Sequence, residues 1–366
     1  MVKLERVIDK YLGTLIIFLL SFFKKKNKPK LKNKVLFIKL WAVGESILTL
    51  NLIKEFKERN KKSKITLLCR RRNISVYRNH KFIDNVIVIE LDTVGSIIKS
   101  FRNYDLTFDL EPYLKISAIL SFYLSKTTIG FSHGIRRLLY DITVKYNDKQ
   151  HIMKTYLDLL KPFKYKLKTP NELMILSCSV QRMNNINAFL KKINPSKKVI
   201  IGLTTTSAET SKYRRWIPKR FAELADKLVE KLDCIILFPD AKSNYLYIQN
   251  IIEMMNHKEN AFNLAGKFFF KDFFCLVKKC NLYISNDTGP MHISAAQKVK
   301  TIGLFGPNTP VRFAPYGKNN VSIYKCKHKP YVNPHLGSFE KPKHFCMEQI
   351  SVDDVFKESI KLLKKK

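Results

Sequence analysis

Acidic residues are scarce in this 366-residue chain: 30 Asp and Glu stand against 67 Lys and Arg, a formal charge of +37. Such a field draws polyanions, whether nucleic acid, an anionic membrane or a charged acceptor. The lysines are scattered along the chain, so charge alone does not choose among these. No zinc-finger, RNP or homeodomain-like pattern accompanies the charge, which argues against nucleic acid as the main partner. The seven cysteines are odd in number and dispersed, which suits a reducing compartment better than a disulfide framework. A long apolar run is also missing. The uncharged stretch Leu12–Phe23 would span about 18 Å as a helix, short of the roughly 30 Å hydrocarbon core. No small-x-small cleavage site follows it, as a signal peptide requires.

What is present points to a chain folded throughout, with 45% hydrophobic and 12% aromatic residues and length enough for two domains. At the N-terminus, Leu4, Val7, Ile8, Tyr11, Leu12, Leu15, Ile16, Leu19 and Phe22 recur at three- and four-residue intervals, one apolar helical face. Lys24, Lys25, Lys26, Lys28 and Lys30 follow. The expectation is a helix in the interface of an anionic membrane with the lysines against head groups. A true span or signal, and a helix packed on its own protein, are the other readings.

Beyond this helix the chain says the same thing twice. KVLFIKL (34–40), ITLLC (65–69), NVIVIE (85–90) and DLTFDL (105–110) are strand-like runs separated by helix-length segments. KKVIIGL (197–203), CIILFP (234–239), LYIS (282–285) and TIGLFG (301–306) repeat the pattern. This alternation predicts parallel sheets with helices on both faces, an α/β fold. The boundary between the halves falls between Phe163 and Ser196. The expected divisions are 1–30, an amphipathic helix and basic linker; 31–180; 181–345; and 346–366, a final helix capped by Ser351. Ligands in such folds sit beyond the carboxyl ends of the strands.

Two of those ends carry chemistry. In Asn281–Pro315, a strand runs into a polar turn with Asp287, Thr288 and Gly289, then a helix bearing His292. A small-residue turn feeding a helix gathers backbone N–H groups and the positive end of the dipole, which suits a phosphate or diphosphate. In KLWAVGESILTL (39–50), Gly44 is expected to take a backbone geometry closed to other residues, with Glu45 at the helix start. Glu45 has two readings: a first-turn carboxylate favoured by the dipole, or a general base, since no cysteine nucleophile or metal cluster lies near.

Four segments in order, FIKLWAVGESILTL, GLTTTSAETSKYRRWIPKRFAELADKL, SNDTGPMHISAAQKVKTIGLFGPNTPVRFAPYG and CMEQISVDDVF, resemble the ADP-heptose:lipopolysaccharide heptosyltransferases, glycosyltransferase family 9. The resemblance covers roughly Lys34 to Phe356. It implies a GT-B fold of two facing Rossmann-like domains, with the acceptor on residues 31–180 and the nucleotide sugar on 181–345. It also implies inverting transfer of heptose or a related sugar, ADP-heptose first among donors, to a lipid-linked or lipopolysaccharide-type acceptor. No metal or other cofactor is implied. The place is the cytoplasmic face of the bacterial inner membrane, peripherally held. A same-fold enzyme for another donor or glycan, and a non-enzymatic membrane or polyanion binder, are the alternatives.

Residue by residue, Glu45 stands where the family has its candidate catalytic Asp, its carboxylate one methylene further out. Asp287, Thr288, Gly289 and His292 match the family's donor-binding segment. Amides of Thr288 and Gly289 would hold the diphosphate, His292 would stabilise the departing charge, and Asp287 would order the turn. Thr205, Thr206 and Ser207 are candidates for phosphate hydrogen bonds. Arg214 takes the family's Lys place before Trp216, with Lys212 and Arg215 competing for the diphosphate; Trp216 is expected to pack. Asp240 is the only acid in the region where ADP-using relatives meet the ribose. Cys326, His328, His344 and Cys346 have the types for a zinc site, with a packed loop as the expected reading.

Overall fold

The computed structural model describes residues 2–24, 33–90, 93–327, 332–333, 338–339 and 346–365. Two compact units divide the chain, one built on residues up to Pro170 and the other from Asn171 onward.

In the first unit α1 (Val2–Ser21) precedes β1 (Lys34–Lys39), α2 (Val43–Arg59), β2 (Lys64–Cys69), α3 (Ile74–Tyr77) and β3 (Asn85–Val88). Then come α4 (Val94–Lys99), β4 (Tyr104–Asp109), α5 (Lys115–Leu124), β5 (Ser125–Phe131), β6 (Ile142–Val144) and α6 (Ile152–Leu157). The sheet order is β3-β2-β1-β4-β5-β6, every pair parallel. Past its first lysine β1 is wholly buried, as a central parallel strand covered on both faces must be, and this is why its sequence is a nearly unbroken apolar run. Phe37 stacks on Phe108 at 4.8 Å, with Phe56 edge-on to Phe108 at 5.1 Å.

In the second unit α7 (Val180–Ile193), β7 (Val199–Thr204), α8 (Pro218–Leu232), β8 (Cys234–Phe238), α9 (Tyr245–Glu253) and β9 (Ala261–Asn263) make the first half. The second half is α10 (Phe270–Val277), β10 (Leu282–Asn286), α11 (Gly289–Ala296), β11 (Lys300–Phe305), α12 (Pro310–Phe313) and β12 (Asn320–Tyr324). A two-strand antiparallel pair, β13 (Val332–Asn333) and β14 (Ser338–Phe339), and α13 (Val352–Lys364) complete it. Its six-stranded sheet is also parallel, in the order β12-β11-β10-β7-β8-β9. Counted from its own first strand, that is the order of the first sheet. Each therefore has a switch point where the strand order reverses, between β1 and β4 in one unit and β7 and β10 in the other. Trp216 is fully buried, edge-on to Phe221 at 4.9 Å, and its Nε1 donates to the Ile350 carbonyl at 2.9 Å. It packs, as expected. Ser351 caps α13 and shares a reciprocal box with Asp354.

One face of α1 is held by its own protein. Ile17 is fully buried with Ala118, Leu139 and Tyr140. Glu5 pairs with Arg70 at 2.9 Å, and the Asp9 carboxylate accepts from the Lys115 and Ile116 amides at 3.0 and 2.8 Å, at the start of α5. The opposite face leaves Val7, Ile8, Tyr11, Leu12, Leu15, Phe18, Leu19 and Phe22 about half exposed or more. Among the described residues, no helix is long and apolar enough to cross a membrane. One expectation on the basic run is corrected: Lys24 points inward, 2.7 Å from the buried Asp141, and burial pulls its ammonium below the ordinary lysine value against that partner. Lys25, Lys26, Lys28 and Lys30 lie outside the described residues.

The cysteine expectation is also corrected. Cys178 is joined to Cys275 and Cys326 to Cys346, while Cys69, Cys234 and Cys280 are buried thiols. The chain separations of 97 and 20 residues are closed by tertiary packing, which the spacing of cysteines does not encode. Cys326 and Cys346 are thereby bonded to each other; His328 and His344 lie outside the described residues.

Candidate active-site loops

Each switch point collects the loops from two strands that are distant in sequence. In the first unit the loop after β1 meets the one after β4. Ala42, at the start of α2, holds φ 61° and ψ 102°, a positive φ that a side chain disfavours. The strained position is Ala42 rather than Gly44, which lies inside α2 with ordinary helical backbone. The sharp turn at Ala42 sends α2 off the sheet with Glu45 in its first turn.

Glu45 is not an isolated cap. Lys39 ends β1 with its side chain 1% exposed, and its Nζ lies 3.0 Å from Glu45 Oε2 and 3.3 Å from Glu111 Oε2. Tyr156 of α6 donates its hydroxyl to Glu45 Oε2 at 2.8 Å. Glu111 Oε1 accepts from the Leu40 and Trp41 amides at 2.6 and 2.7 Å, stitching the end of β4 to the turn after β1. Burial pulls the Lys39 ammonium down, and the Glu111 and Glu45 carboxylates more than reverse it, leaving it above the ordinary lysine value. Burial pushes the Tyr156 hydroxyl well above the ordinary tyrosine value, with Glu45 adding, so it stays a donor. Of the two carboxylates, Glu45 reaches solvent, at 24% side-chain exposure against 3% for Glu111.

In the second unit the loops after β7 and β10 meet. Asn286, the last residue of β10, donates to the Thr205 carbonyl at 2.9 Å and accepts from the Trp216 amide at 3.0 Å. One amide thus ties the hydroxyl-rich loop and the basic loop to the start of α11. Asp287 follows, its carboxylate 3.3 Å from Arg214 and hydrogen-bonded by Asn308. Asp287 therefore orders the turn and fixes Arg214 beside it. The Thr288 side chain does not cap α11; its hydroxyl turns back to the Asn286 carbonyl at 3.2 Å. His292, one turn along α11, is 4% exposed.

The hydroxyl candidates separate. Thr206 donates to Asp240 and Ser207 donates to the Ser211 carbonyl at 2.8 Å. Thr205 is 1% exposed and, among the described residues, its hydroxyl has no hydrogen-bond partner, which leaves it open to a water or a ligand. Asp240 is itself occupied, its carboxylate also accepting from the Ala241 amide and the Asn244 side chain at 2.7 Å each. Among the basic candidates, Arg214 joins the cluster. Lys212 pairs with Glu209 at the surface at 2.7 Å, and Arg215 is held by the Ser207 carbonyl and Glu209 at 2.7 and 2.8 Å.

Lys39, Glu111, Tyr156, Asn286 and Asn308 were not singled out from the sequence. A lysine closing the buried run KVLFIK and a glutamate just past the matching strand TFDL were signals available for the first two.

Comparison with known proteins gives the chain its relatives. Residues 94–342 match the model of glycosyltransferase family 9 (heptosyltransferase). A lipooligosaccharide heptosyltransferase 2 from Haemophilus ducreyi is 28% identical over 348 residues, 90% of this chain and 99% of that protein. A glycosyl transferase of family 9 from Veillonella parvula superimposes with a TM-score of 0.80 at 21% identity, covering 93% of this chain and all of the other. The Escherichia coli ADP-heptose lipopolysaccharide heptosyltransferase II does so with a TM-score of 0.73 at 19% identity, covering 90% and 98%. The fold they share with this chain is the GT-B type.

Proposed function

This chain belongs to glycosyltransferase family 9, the heptosyltransferases, and from that membership we propose that it transfers heptose from ADP-heptose to a lipopolysaccharide-type acceptor with inversion at the anomeric carbon. It is a glycosyltransferase; the donor, the stereochemistry and the acceptor are the substance of the proposal. The observation that carries it is Arg214, held 3.3 Å from Asp287 at the N-terminus of α11. A fixed guanidinium and a helix start are what a diphosphate requires, and the Thr205 hydroxyl adds a donor with no partner among the described residues. The named donor of the Escherichia coli relative supports the same reading.

In the reaction the acceptor hydroxyl gives its proton to Glu45 as its oxygen bonds to the anomeric carbon. The bond from that carbon to the diphosphate oxygen breaks, and ADP leaves with the electron pair. Charge grows on the leaving diphosphate, so Arg214, the α11 amides and His292 help most in the transition state. Membrane attachment is part of the proposal: the exposed apolar face of α1 lies on the cytoplasmic surface of the inner membrane, drawn there by the positive charge of the chain. The Asp9 and Glu5 contacts would hold the rest of the first unit to that anchor.

The test is transfer from a panel of nucleotide sugars, ADP-heptose included, to lipopolysaccharide precursor, with the anomeric configuration of the product read by NMR. A β-linked donor giving an α-linked product, or the converse, supports inversion; retention sinks it. Transfer from another nucleotide sugar alone would replace the donor. Co-sedimentation with anionic vesicles, lost in a Leu15→Glu, Leu19→Glu variant that still binds donor, tests the anchor.

A further inference from the structure

The reading of Glu45 as the base leaves a second, deeply buried carboxylate beside it unexplained. Glu111 lies across Lys39 from Glu45, and its two oxygens take the Leu40 and Trp41 amides and the Lys39 ammonium. A carboxylate whose oxygens face only donors is held as the anion, though burial lifts it above the ordinary carboxylate value against the pull of Lys39. The other charged groups on this side balance: Asp109, at the end of β4, is 3.6 Å from Arg136 and takes the hydroxyls of Tyr140 and Ser117. Tyr156 and Tyr146 face the cluster from α6 and the segment after β6, and Tyr77 faces it from α3; burial pushes the Tyr156 and Tyr77 hydroxyls above the ordinary tyrosine value, so both stay neutral. One buried ammonium is thus shared between a buried carboxylate and one that reaches solvent.

From this geometry we infer that Glu111 is a positioning residue that tunes the base strength of Glu45 by drawing off part of the Lys39 charge. The inference rests on the proposed role of Glu45. Were Lys39 paired with Glu45 alone, the ammonium would hold that carboxylate so strongly that it could no longer take a proton from a sugar hydroxyl at useful rates. With Glu111 on the other side, Lys39 fixes the direction of Glu45 without spending its full charge on it. Tyr156 acts the other way, as a neutral donor that favours the anion.

The test compares Glu111→Gln and Tyr156→Phe with the unaltered protein by two readouts: the pH profile of kcat/KM, and a carbon-13 titration of the Glu45 carboxyl, assigned by its loss in Glu45→Gln. Glu111→Gln keeps an oxygen for the Leu40 and Trp41 amides and removes only the charge. It is expected to move the acidic limb and the Glu45 titration down by about half a pH unit or more, with a lower plateau rate. Tyr156→Phe is expected to move both up. Two variants that lose stability or rate with neither readout displaced would overturn the inference and leave Glu111 a packing residue. Should Glu111→Gln fail to fold, Glu111→Asp, which draws the carboxylate back from Lys39, is read in its place: a smaller downward move of the Glu45 titration is expected, and an unmoved one overturns the inference. If no donor is turned over by any form, the proposed activity fails, and the carboxyl titration still judges the inference by itself.

Discussion

At the residue scale the proposed chemistry falls to a few side chains, and each proposed role can be checked by substitution. Glu45→Gln is expected to cut kcat about tenfold or more, with donor affinity by calorimetry unchanged, since Glu45 belongs to the first unit and the loops proposed to hold the donor to the second. Arg214→Ala is expected to weaken donor binding about tenfold or more, because a hydrogen-bonded charge opposite a phosphate contributes well over 1 kcal/mol. Lys212→Ala should leave donor affinity within about twofold, its ammonium being engaged with Glu209 at the surface where such pairs contribute little. Equal losses in the Arg214 and Lys212 variants would mean that the geometry at Asp287 does not select the arginine.

Elements are where the sequence is most and least informative. Strands buried on both faces must be apolar without alternation, so β1, β7, β8 and β10 announced themselves, and the helix between each pair followed. What joins them did not. Asn286 ties to Thr205, 81 residues away, and Glu111 to Leu40, 71 residues away; only the reversal of strand order brings such loops together. The same holds for Cys178 and Cys275, whose pairing depends on where α7 and α10 pack. The turn at Ala42 escaped for another reason: a glycine two residues on drew attention, and the strain sits on its neighbour. Two element-level outcomes can be checked. Asp9→Ala removes the acceptor at the first turn of α5 and should cost about 1 kcal/mol, seen in chemical unfolding and as faster amide exchange at Lys115 and Ile116. Trp216→Ala opens a cavity beneath α13 and leaves the Ile350 carbonyl to Arg220 alone, a loss of about 3–5 kcal/mol in the same measurement.

For the whole molecule, the two sheets wound in one order show that the sequence repeats a single plan. The +37 charge is a property of the entire surface rather than of any motif. Its expected signature is steep ionic-strength dependence: binding to anionic vesicles should fall strongly as salt rises past physiological levels, where the screening length shrinks below about 8 Å. Neutral vesicles should bind weakly at every salt concentration if charge guides the docking and the apolar face of α1 completes it. Salt-insensitive binding would assign the attachment to α1 alone.

The strained turn at Ala42 bears on how this protein can change. Replacing Ala42 by glycine would relieve the unfavourable backbone and so, considered in isolation, favour the folded state. It would also widen the freedom of the hinge from which Glu45 is aimed. Selection for hardiness and selection for turnover thus pull in opposite directions at one methyl group, and a stabilised descendant of this protein should be sought, and its losses looked for, at that position first.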